Sequence, residues 1–345
     1  MKQIQQAGGN TNNYQAQNMT VNGLSYTEAK DIALDVFRAN AMELSQIARR
    51  TAEARVEEIT DALFGKLMDR APEAIQSVTD PGMQRAIFRA QEEYACSGDK
   101  ALGEVLIDML VDRAQTSDRS LQQITLNEAI KTAPKLATHH FTILATLLLV
   151  GNTQFTAVST IAELHEKLKT LVAPAVAGLR ATESDLRHLQ YAGCISFDIT
   201  ERTFSHIISV TYPALFVRGF TREQISEPSR NVGFPAIIPC LRDPEKFQVS
   251  AMNKDVLERS LIPEQGLEEH SAELNRLLET NLMTAEEIEE EISALHPHLR
   301  TLIDVWSSSS MRHCTLTSVG IAVGHANARR TLGDEFNAGI DVWVK

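Results

Sequence analysis

A chain of 345 residues has room for about two domains and a large buried core. Its 43% hydrophobic and 23% charged residues are ordinary for a globular protein. With 33 basic against 45 acidic residues, a formal charge of −12, it argues against broad nucleic-acid or anionic-membrane binding and leaves room for a local basic patch.

Residues 1–22 are crowded with Gln and Asn, and Lys2 is their only charged side chain. Such a tract cannot bury enough apolar area to offset its ordering entropy, so a single copy alone is expected to be disordered. Against that stands a pattern. Gly8-Gly9-Asn10 is turn chemistry, Tyr14 and Ala16 share one strand face, and Met19 and Val21 resume the alternation after a slip at Asn18. Copies from several subunits could stack with amide ladders between them, as in cross-β assemblies. Gln3, Gln5, Asn10, Asn12, Asn13, Tyr14, Gln15, Gln17, Met19 and Val21 are therefore the candidate contacts of a homotypic assembly, and a homo-oligomer is the expected state.

Ser25-x-x-Glu28 has capping-box spacing. Apolar residues from Ile32 to Leu67 then fall mostly at three- and four-residue steps, with no proline until Pro72, which predicts one long helix over 25–69 or two in line. Asp80-Pro81 opens a helix that should stop near Gly98. An amphipathic stripe follows from Leu102 to Leu110, then a short helix near 127–132. The most apolar run, 141–150, is far short of the roughly 20 residues that cross a bilayer and predicts a buried helix. Leu164, Leu168 and Leu171 continue a helical seam.

Thr182-x-x-Asp185 caps a short helix whose Leu186 and Leu189 face inward; Gly193 ends it, and Ile195, Phe197 and Ile199 alternate as a strand. That order of elements suits a winged-helix unit, with Ile340, Val342 and Val344 as the available second strand. The region from Pro228 to Pro244 reads as mostly loop, and 307–310 as another. Thr284-x-x-Glu287 caps an acidic helix, and 316–330 is the last helix, in which Gly320 and Gly324 allow close packing. The fold class is mainly α: a multi-helix body with a small winged-helix-like element and a short β-forming tail. Three regions are expected: the tail over 1–24, an N-terminal helical domain over 25–125 with a long first helix, and a C-terminal helical domain over 126–345 with strands near 194–199 and 339–344.

Several motifs together resemble an uncharacterised, nearly all-helical bacterial family with an Asn/Gln/Gly-rich N-terminal tail. They are Gly-Leu-Ser-Tyr-Thr-Glu-Ala-Lys at 23–30, Tyr-Pro-Ala-Leu-Phe at 212–216, Gly-Phe-Thr at 219–221, Leu-Thr-Ser-Val-Gly-Ile-Ala-Val-Gly-His-Ala-Asn at 316–327 and the Asp-Val-Trp-Val at 341–344. The resemblance runs nearly end to end and transfers no catalytic residue. The tail is similar in composition to assembly segments on some bacterial immune proteins, which implies a place in anti-phage defence.

No residue set declares a catalytic, cofactor or metal site. His296-Pro-His298 has no Cys or carboxylate at zinc spacing. His139 and His140, neighbours in a helix, should point about 100° apart and share no ligand, one facing the core and one solvent. Cys314 beside His313 lacks an oxyanion hole, and the phosphate-loop patterns GxxxxGK[ST] and GxGxxG are absent. The four cysteines are far apart, contain no CxxC and suit structural thiols in a reduced, cytoplasmic compartment. The favoured function is a non-enzymatic, self-assembling scaffold or sensor, needing no cofactor or membrane and admitting a second protein as partner. A winged-helix DNA regulator is the alternative, with Arg180, Arg187, Arg329 and Arg330 as its contacts if the fold gathers them, and an enzyme of unrecognised type is the third reading.

Overall fold

The computed structural model describes residues 20–21, 24–40, 46–116, 119–227 and 229–345. The protein is mainly α, with three small two-stranded sheets among the described residues. Two compact units form: Met1–Thr138 with Ser318–Arg330 and Asn337–Lys345, and His139–Thr317 with Thr331–Phe336.

In the first unit, β1 (Thr20–Val21) pairs antiparallel with β2 (Leu24–Ser25), which leads into α1 (Tyr26–Asn40). The Ser25 hydroxyl accepts the Glu28 amide at 3.2 Å while Glu28 accepts the Ser25 amide, the reciprocal capping pair expected from the spacing. α2 (Gln46–Arg70) does not continue in line with α1. It lies alongside, with the Tyr26 ring edge-on to Phe64 at 5.9 Å and Lys30 paired with Asp61. The single long helix expected over 25–69 is thus corrected. The reason is burial: Ala29, Ala33 and Phe37 on α1 and Val56, Ile59, Leu63 and Phe64 on α2 form two apolar stripes, and packing the helices side by side covers both.

α3 (Pro81–Ser97) begins and ends where its sequence signals lie. Asp80 accepts the Met83 amide at 2.9 Å, and Gly98 takes the left-handed conformation at φ 63°. α4 (Lys100–Ala114) is buried along nearly its whole length and packs on α2, α3 and α5 (Leu121–Thr132). A helix buried on all sides needs a partner for each polar group it carries. Lys66 and Arg70 of α2 reach Asp108 at 2.7 and 2.8 Å. Asp112 is met by the helix Ser318–Leu332, which returns from the far end of the chain into this unit.

The second unit is built on α6 (Thr138–Gly151), whose Phe141, Ile143, Leu144 and Leu148 are fully buried. α7 (Ile161–Lys167) runs on through a π-helical turn, Leu168–Val172. α8 (Glu183–Tyr191) has the expected capping box at Thr182, buried Leu186 and Leu189, and Gly193 at φ 75° after it. β3 (Ile195–Phe197) follows, then α9 (Phe204–Thr211), the antiparallel hairpin of β4 (Ile237–Pro239) and β5 (Phe247–Val249), and helices α10 (Ser271–Thr280), α11 (Ala285–Leu295) and α12 (Pro297–Ser308).

β3 pairs with β6 (Cys314–Leu316), Ile195 opposite Leu316, and not with the C-terminal segment, where Ile340–Val342 forms a 3-10 turn. The strand expected near 339–344 is therefore replaced, because Ile340 and Val344 bury in the first unit while Val342 faces out, a spacing of four that suits a turn. The 237–249 hairpin stands where mostly loop was expected. Phe220, Ile237, Val249, Leu257, Leu274 and Leu277 pack together around it.

Candidate functional site

The described residues bring one chemically distinctive cluster together, at the start of α6 and of α8. His139 and His140 occupy the first turn of α6, and Asp185 is the third residue of α8. The Thr182–Asp185 capping box fixes the carboxylate: its Oδ2 accepts the Thr182 amide at 2.9 Å and the Thr182 hydroxyl at 2.7 Å. Oδ1 is left to face α6, where it meets His139 Nε2 at 2.8 Å and His140 Nε2 at 3.2 Å. The expectation that the two histidines share no partner is corrected. Helical neighbours diverge at Cα, but imidazoles are long enough to converge on one oxygen, and their ring centroids lie 4.3 Å apart.

Protonation follows from the partners. Burial raises the Asp185 carboxyl, but hydrogen bonds from His139, Thr182 and His140 outweigh it and hold the group well below the usual carboxylate range. An ionised carboxylate only accepts, so each facing Nε2 carries the hydrogen. The guanidinium of Arg180, which can only donate, stands 3.4 Å from His139 Nδ1, and that nitrogen is the acceptor of the same tautomer. Burial, then the neighbouring His139, lowers the pKa of His140 and favours its neutral form, against the pull of Asp185. The His188 ring stacks on His140 at 5.2 Å, and Tyr191 follows at 6.4 Å.

His139, His140 and Asp185 each offer a ligand atom within 4.8 Å of those of the other two, so these three residues could hold a metal ion. The cluster is not a nucleophilic triad. Its hydroxyl, on Thr182, sits on the carboxylate and not on an imidazole, where a base would have to activate it. Cys314 is also unsuited to attack: its thiol donates to the Ser310 carbonyl at 3.3 Å, and burial, with Glu183 nearby, pushes it up to about 12.

The tail contacts Gln3, Gln5, Asn10, Asn12, Asn13, Tyr14, Gln15, Gln17 and Met19 lie outside the described residues; Val21 lies in β1. In the second unit, Arg180 faces His139, and Arg187 pairs with Glu183 at 3.2 Å beside an open cleft of about 320 Å3. In the first, Arg329 is buried against Asp112 at 2.6 Å, and Arg330 bonds Asn327 at 2.9 Å and approaches Glu104 at 3.4 Å. His298 Nδ1 faces the Ala173 carbonyl at 3.1 Å, and His296 Nδ1 accepts the His298 amide. Sequence reasoning missed the grouping of His139 and His140 with Asp185. The signal available was the capping box, which leaves one carboxylate oxygen unused by the cap.

Among the described residues, no helix is long and apolar enough to cross a membrane. No curated protein and no solved structure matches the chain. A family model whose description reads ":-like" matches residues 23–344, and the chain belongs to that family.

Proposed function

We propose that the protein is a non-enzymatic, self-assembling scaffold or sensor of bacterial defence, in which residues 3–21 make the contact between copies. The observation that carries this reading is the Gln- and Asn-rich tract running into an extended strand. β1 pairs with β2 alone among the described residues, and the open side of a two-stranded sheet is a template for another chain. The defence role rests on the compositional likeness of the tail to immune assembly segments. Assembly is preferred to DNA regulation because Arg187, Arg329 and Arg330 each have an acidic partner, which competes with phosphate.

The test is native mass by size-exclusion chromatography with light scattering. Full-length protein is expected to form a defined multimer, and the chain lacking residues 1–22 a smaller, folded species. Equal masses would remove the tail from the assembly.

A further inference from the structure

The histidine cluster of the second unit has the donors, spacing and support of a cation site. We propose that His139 Nε2, His140 Nε2 and Asp185 Oδ1 bind a divalent transition-metal ion, Zn2+ by donor preference, with a fourth position left to water or an exogenous ligand. Imidazole nitrogen and carboxylate oxygen are donors that zinc accepts together. A tetrahedral zinc ion with bonds of roughly 2.0–2.1 Å sets its ligand atoms roughly 3.3 Å apart. Two edges of the cluster already measure 2.8 and 3.2 Å, and ligand atoms of the three residues lie within 4.8 Å of one another. Small movements of two rings would close the site.

The carboxylate is held for this task. Thr182 occupies Oδ2 through its amide and hydroxyl, so Oδ1 is presented as a single ligand atom from a fixed rotamer. Partners of this kind, which orient a ligating group from behind, raise metal affinity. The His140 side chain is only 7% exposed, while His139 and Asp185 are 22% and 17% exposed, so the site has an anchored inner ligand and an entry side. Three protein ligands with one open position suit an exchangeable or reactive site, whereas closed four-ligand sites are structural.

One neighbour opposes binding, and it makes the proposal sharper. Once His139 ligates through Nε2, its proton moves to Nδ1, which then confronts the donor-only guanidinium of Arg180. Arg180 is exposed and must swing into solvent for the ion to enter. Its removal should therefore strengthen binding.

The experiment titrates metal-free, full-length protein with Co2+ and then Zn2+. The expected result is the visible absorption of tetrahedral Co2+ at one ion per chain, displaced by Zn2+. Asp185→Asn and His139→Gln should each weaken binding at least tenfold, Arg180→Gln should tighten it severalfold, and His296→Gln, in the other histidine pair, should leave it unchanged. Absence of the Co2+ band in folded protein, or unchanged affinity in His139→Gln, would overturn the assignment. Should Asp185→Asn lose its fold by circular dichroism, His139→Gln and Arg180→Gln, with their opposite signs, decide the question.

Discussion

Asp112 and Asp185 are both aspartates that meet histidine, one in each unit, and their surroundings give them opposite uses. Asp112 sits on the fully packed α4 with Arg329 at 2.6 Å and His325 Nδ1 at 3.4 Å, and Arg329 and His325 both also bond the Ala338 carbonyl. Its charge is balanced by a buried guanidinium that cannot lose its proton. Asp185 stands at a helix start, half of it occupied by its own cap and half by two imidazoles, with solvent on one side. A closed ion pair has no room for an added cation. A carboxylate solvated by histidines can exchange hydrogen-bond donors for a metal.

The largest test of this contrast is Asp112→Asn. It leaves Arg329 buried without its counter-charge and should cost about 3–5 kcal/mol in denaturant unfolding. Asp112→Leu combined with Arg329→Met should recover most of that loss, since a packed apolar pair avoids desolvating either charge. Next comes acid stability. Burial raises the Asp112 carboxyl, but His325 and Arg329 outweigh it and hold it below the usual range. Its stabilisation is therefore complete above the unfolded value of about 3.9 and is lost as pH falls through the lower folded value. Melting curves at decreasing pH should fall less steeply for Asp112→Asn than for the wild type. The smallest effect is expected at the other aspartate, where Asp185→Asn in metal-free protein should cost roughly 1–2 kcal/mol for weakened charged hydrogen bonds, since the one side-chain oxygen of asparagine can still accept the Thr182 amide and hydroxyl of the cap. A cost as large as that of Asp112→Asn would mean that the histidine cluster is a structural staple.

Local signals were legible in the sequence and distant pairings were not. The Asp80 and Thr182 caps, Gly98, Gly193 and the inward Leu186 and Leu189 all stand where spacing put them, because caps and helical stripes are decided within a few residues. The partner of β3 lies 119 positions away, where Ser196 meets Thr315, and three-residue strands carry too little alternation to announce themselves. Asp185 lies 46 positions from His139, and its cap role was visible while its second oxygen was not. The fold-back of α1 onto α2 was hidden for a related reason. Periodicity marks an apolar face but not the face that covers it.

The Arg329–Asp112 pair closes the first unit across 217 positions of chain. On the ribosome, α4 emerges long before the helix that neutralises it, so the unit begun first is the one completed last. Until residues 318–330 are synthesised, the nascent α4 cannot enter its apolar setting with Asp112 ionised and compensated, and the second unit has all but its short 331–336 segment to fold in the meantime.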